Sequence, residues 1–199
     1  SRAVGEGYRW ARVPGSPPAV HCPPGGPAVL ASVWAVAPEF PANMVWCRLL
    51  NPLFAALAAA LGCAYGIRTM GLHPAVAGLA SSAFALMLPV LVLAGVLFAE
   101  PLFLCALIGA LFLADRAVRR GGWRDALVAG VAVGVVALVR STGLVLLPAL
   151  VCALLLARRR REALVAVVSA VAVLAPWQFW SAAHAPELVD VPDHHEVYL

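Results

Sequence analysis

Residues 89–119 read PVLVLAGVLFAEPLFLCALIGALFLADRAVR, a run that is apolar almost throughout and is interrupted by one carboxylate, Glu100. Apolar sequence extends back to about residue 74 and forward to about residue 113. That is too long for one bilayer crossing, since about 20 residues at ~1.5 Å each already span ~30 Å. The economical reading is two helices that turn at Ala99-Glu100-Pro101. Pro101 then takes the first position of the second helix, where a missing N–H costs nothing. Glu100 is thereby placed at one membrane face, held by helices on both sides.

The rest of the chain agrees with a membrane setting. Of 199 residues, 63% are hydrophobic and 12% charged, and the mean hydropathy is +0.91. A soluble domain of this size has too little interior to hide such a fraction. The apolar segments recur deep in the chain, so a cleaved leader does not explain them. All 14 cations are arginines; they cluster at helix ends and form no basic stripe, which argues against nucleic acid. Cys22, Cys47, Cys63, Cys105 and Cys152 show neither CxxC nor Cys/His metal spacing, and no disulfide framework is expected.

The sequence predicts an all-α, polytopic transmembrane bundle of about six spans, near 46–67, 74–98, 101–117, 125–139, 142–157 and 163–180. Ahead of them, residues 1–45 form an outer loop rich in Gly and Pro, with a short apolar helix near 27–37 lying in the interface. Trp34, Phe40 and Trp46 suit a headgroup belt. Residues 181–199 begin a further outer loop. A single helix over 126–157 would bury Arg140 at mid-bilayer at a cost of ~2.5–3.5 kcal/mol. A break at Arg140-Ser141-Thr142-Gly143 avoids this, with Gly143 allowing the turn and Thr142 capping the next helix.

Charge then orients the bundle. Arg68, Arg116, Arg119, Arg120, Arg124 and Arg158 to Arg161 fall on one side; Arg2, Arg9, Arg12, Arg48 and Arg140 fall on the other. By the positive-inside rule the first side is cytoplasmic. Glu100, Arg140 and both ends of the chain share the outer face.

Three features on that face are candidates for chemistry. Glu100 is an ionisable group wedged between long apolar spans, which marks a functional position; a simple helix N-terminal carboxylate is the bland alternative. Arg140 either snorkels as an anchor or holds an anionic phosphate. His21, with Pro23, Pro24 and Gly25 stiffening the turn behind it, either donates to a phosphate or is merely solvated. Glu6 and Glu39 are remoter carboxylates. His194 and His195, beside Asp190, Asp193 and Glu196, are a weak metal candidate against a solvated tail. Trp177 and Trp180 read as interfacial anchors.

Taken in order, GEGYR (5–9), HCPPGGPAVLASVW (21–34), RLLNPLFAALAA (48–59), FAEPLFL (98–104) and GVAVGVVALVRSTGLVLLP (130–148) resemble membrane glycosyltransferases of the GT-C superfamily. The nearest groups are the bacterial protein O-mannosyltransferases and aminoarabinose transferases. The resemblance implies transfer of a sugar from a polyprenyl-phosphate donor to a protein, lipid or glycan acceptor, outside a bacterial inner membrane. It implies that Glu100 is an acidic residue near the reaction centre, that His21, Pro23, Pro24 and Gly25 border the donor phosphate, and that Arg140 is the arginine of a helix junction beside it. Cys22 stands where relatives often carry Tyr or Lys. The principal acid of such enzymes, an Asp after the first membrane helix, is expected upstream of Ser1, so the chain reads as an internal piece, inactive alone. Glu100 is then a supporting acid and not the general base. The cofactor is left open, a divalent metal being compatible with the chemistry but no ligand set being identified. A permease subunit or a non-catalytic scaffold are the alternatives. Against a permease, the polar residues lie at helix ends on one face and no internal repeat appears.

Overall fold

The computed structural model describes residues 9, 19–20, 22–95 and 99–184. Among these no β-strand forms. The helices are α1 (Gly25–Val36), α2 (Met44–Arg68), α3 (Pro74–Ala85), α4 (Leu88–Gly95), α5 (Glu100–Arg120), α6 (Trp123–Val139), α7 (Leu146–Leu156) and α8 (Arg160–His184), with a 3-10 turn over Ser141–Val145. Three of them, α2, α5 and α8, are long and apolar enough to cross a membrane. Helix α1 and the segments 74–85 and 141–156 are shorter apolar pieces.

Two sequence expectations are corrected by the backbone. The span expected over 74–98 is not one helix, because α3 stops at Ala85 and α4 starts at Leu88. Pro89 has no N–H to give to the carbonyl four residues back, and it disfavours helical geometry in the residue before it. The chain closes this gap tightly: the Leu86 N–H donates to the Ser82 carbonyl (3.0 Å) and the Met87 N–H to that of Phe84 (3.2 Å). The second correction concerns 140–145. The break after Val139 is present, with Arg140 extended (φ −151°, ψ 130°), but Thr142 makes no capping hydrogen bond. The chain winds instead through the 3-10 turn, in which the Gly143 N–H donates to the Arg140 carbonyl (2.8 Å). Gly143 serves a close approach: a Cβ there would lie 2.7 Å from Val136 Cγ1 and 2.8 Å from the Val136 carbonyl carbon.

Helix α6 is the centre of the bundle. Its buried face alternates Ala, Gly and Val from Ala126 to Val139, and small residues let membrane helices approach closely where lipid supplies no hydrophobic drive. Against it α8 runs parallel, Gly130 meeting Ala166 and Gly134 meeting Ala170 and Val173. Ala117, Ala129, Val133, Leu150, Leu154, Ala163 and Ala166 join α5, α6, α7 and α8 in one core. Leu150 and Leu154 apart, many of the large apolar side chains point outward, among them Leu79, Leu156, Leu164 and Phe179. Small residues at the helix contacts with large apolar ones facing outward suit a lipid solvent.

Helices α5 and α6 run antiparallel and are fastened at both ends. At one end Arg116 Nε meets Asp125 Oδ1 at 2.8 Å, and at the other Arg140 Nη1 meets Glu100 Oε1 at 2.9 Å. Glu100 and Asp125 sit in the first turns of their helices and Arg140 at the C-terminal cap of α6, ends that the helix dipole favours for those charges.

Candidate functional site

The site is built from helix ends. Glu100 opens α5, and Pro101 behind it is buried, fixing the direction in which the first turn leaves. Arg140 ends α6 in an extended conformation, so its side chain leaves the helix axis and crosses to Glu100. Arg140 Nη1 donates to Glu100 Oε1 at 2.9 Å. The side chains are 48% and 29% exposed, so the pair sits on a rim and not in the dry core. Glu100 Oε2 is different: it is buried and has no hydrogen-bond partner among the described residues. A buried carboxylate oxygen left unpaired is costly, and a water or a ligand hydroxyl donating to it would remove that cost.

The Pro-Pro-Gly-Gly segment meets this pair. Pro24 caps α1, and a Cβ on Gly25 would lie 2.7 Å from the Leu138 carbonyl oxygen and 2.8 Å from Val139 Cα. A Cβ on Gly26 would lie 3.2 Å from Ala99 Cβ. Gly25 and Gly26 thus fill the notch between the last turn of α6 and the first of α5, next to the residues that carry the ion pair. First-turn amides of a helix have no intrahelical acceptor, and these two glycines bring theirs to the same place. Pro23 and Pro24 approach with them. His21, Glu6 and the cluster at 190–196 lie outside the described residues, and Glu39 lies between α1 and α2. Gly25→Val is expected to lift α1 from this notch, at ~1–3 kcal/mol of overpacking. Thiol labelling of a cysteine placed at position 26 reads the change as faster reaction.

Beside the pair lies an apolar cavity of about 210 Å³ bordered by Gly26, Leu30, Asn51, Phe54, Ala99 and Leu102. Asn51 is buried two turns inside α2, and sequence reading did not single it out. An amide directly before Pro52 in an otherwise apolar run was the available signal. His184 was missed as well. It ends α8, donates from Nδ1 to the Trp180 carbonyl (2.8 Å) and stacks on the Trp180 ring at 4.7 Å, which in turn stacks on Trp177 at 5.0 Å. Ser181 Oγ donates to the Val20 carbonyl (3.1 Å), so this end of α8 meets the first loop.

The architecture is that of an integral membrane protein whose α5 start, α6 end and first-loop glycines bring an acid, a guanidinium and the first-turn amides of α1 to one end of a helical bundle. A sequence profile of the dolichyl-phosphate-mannose-protein mannosyltransferase family matches residues 23–180. The chain belongs to this family of membrane glycosyltransferases, whose sugar donors are lipid-linked. No curated protein and no solved structure matches it.

Proposed function

We propose that the protein transfers a sugar from a polyprenyl-phosphate donor to a protein, lipid or glycan acceptor on the non-cytoplasmic face of a bacterial inner membrane. The observation that carries this reading is the Glu100–Arg140 pair, with one carboxylate oxygen unpaired among the described residues. Breaking the bond between the sugar and its lipid phosphate leaves charge on the phosphate, and preorganised donors lower the barrier most where that charge develops. Arg140 has five N–H donors and a single one binds Glu100. The remainder of its fork, with the amides of Gly25 and Gly26, suits a phosphate. Glu100 is the supporting acid: Oε1 orients the guanidinium, and Oε2 accepts from a sugar or acceptor hydroxyl. His21 completes the phosphate contacts from the first loop. The apolar cavity beside Ala99 takes the lipid end of the donor. The six-span topology, with residues 1–45 and the tail from about 181 outside, belongs to the same proposal.

The test is transfer by the protein reconstituted in vesicles with labelled polyprenyl-phosphate mannose. Label is expected to leave the lipid for an acceptor. If the lipid stays intact while a solute accumulates inside, the protein is a permease. Orientation is checked by single-cysteine labelling. Position 100 is expected to react with an impermeant reagent from outside and position 120 from the cytosol only; the reverse pattern ends the assignment of faces.

A further inference from the structure

We infer that the arginine-rich end of the bundle, opposite Glu100 and Arg140, is a binding surface for the phosphodiester headgroups of anionic phospholipids in the adjoining leaflet.

The surface is assembled by tight turns stitched to one another. Gly121 and Gly122 join α5 to α6 with φ of 73° and 108°, and Arg158 turns α7 into α8 with φ 59°. Arg159 Nη2 crosses between these turns and donates to the Arg119 carbonyl (3.2 Å). Its guanidinium lies where a side chain on Gly121 would start, and the positive φ of Gly121 is itself one that favours glycine. Arg119 binds Asp115 through Nε (2.7 Å) and the Thr69 carbonyl through Nη2 (3.0 Å), tying in the end of α2.

The stitching concentrates charge. Arg68, Arg116, Arg119, Arg120, Arg124 and Arg158 to Arg161 share this end with three acids, Asp115, Asp125 and Glu162. Asp115 is taken by Arg119 and Asp125 by Arg116. Arg120, Arg124, Arg160 and Arg161 are exposed and have no ion pair among the described residues. The N-terminal ends of α6 and α8 add their positive dipole ends. Trp123 is 60% exposed with Arg124 packed over its ring at 5.4 Å, an arrangement suited to headgroup depth. Guanidinium forks match the geometry of a phosphodiester. The ring of cations surrounds the foot of a lipid-facing bundle, where headgroups already lie within side-chain reach.

The chain is reconstituted in vesicles of phosphatidylcholine alone or mixed with phosphatidylglycerol, and lipid kept after detergent extraction is counted by native mass spectrometry. Phosphatidylglycerol is expected to be retained in preference to phosphatidylcholine. Because cations close to an anionic surface are attracted to it, joint change of Arg120→Gln, Arg124→Gln, Arg160→Gln and Arg161→Gln should cut that retention by at least about tenfold. The same four positions as lysine should keep most of it. Equal retention of both lipids by the unaltered chain overturns the inference without recourse to any variant. Unchanged retention in the glutamine variant also overturns it, as does displacement of the lipid by inorganic phosphate, which would mark a free-anion site.

Discussion

Arg140→Ala is expected to lower sugar transfer by about 10²–10³-fold in kcat, the loss typical of removing one preorganised donor from a developing anion. The geometry makes the comparison with Glu100 informative. Glu100→Gln keeps an oxygen that accepts from Arg140 Nη1 and loses only the charge, so a milder fall of ~10-fold is expected, equivalent to one charge-assisted hydrogen bond. If Glu100 works by orienting Arg140, the double variant Glu100→Ala/Arg140→Ala will be no worse than Arg140→Ala alone, since the two act as one unit. Arg140→Lys should not restore activity, because an ammonium cannot bind Glu100 and a phosphate in the same fork geometry. A Glu100→Gln loss as deep as that of Arg140→Ala, with the acid limb of the pH–rate profile removed, would assign the proton-accepting role to Glu100 and end the supporting-acid reading.

The second large effect is structural. Gly130→Leu is expected to destabilise the bundle at or beyond the upper end of the ~1–3 kcal/mol usual for overpacking. A Cβ at that position runs into Ser169 Oγ and the Ala166 carbonyl oxygen, and lies 2.8 Å from Ala166 Cα. The obstruction is mostly backbone, which cannot rotate away as a side-chain tip does. Gly134→Leu meets Val173 Cβ at 2.8 Å and should act in the same direction. Unfolding in mixed micelles, followed by helix signal and protease resistance, measures both. Gly109→Leu is the control, since nothing lies within 4 Å of a Cβ there. Equal stability of the Gly130 and Gly109 variants would mean that α6 and α8 do not pack as described.

Much of this was legible in the residues where a polar or cyclic side chain interrupts apolar sequence. Glu100-Pro101 marked a helix start because a carboxylate and a ring without N–H both favour that position. Arg140 marked a helix end because a buried guanidinium is expensive. That these two ends are neighbours was not legible, since apolar periodicity does not say which helices touch. The break before Pro89 was hidden by the uniform hydropathy around it, which outweighed the local backbone rule. The capping role expected of Thr142 assumed an α-helix directly after Arg140, and the 3-10 turn removed that geometry. Gly25, Gly130 and Gly143 look alike in sequence, yet each matters through contact with a backbone elsewhere in the chain. Contacts of that kind are properties of the assembled bundle.

The two clasps on the α5–α6 pair also restrict how the molecule moves. A piston-like slip of one helix past the other would pull Arg116 from Asp125 and Arg140 from Glu100 at the same moment. Axial displacement is therefore opposed at both ends. Rearrangement around Glu100 is left to sideways tilting of α1, whose residues are all at least partly solvent- or lipid-facing.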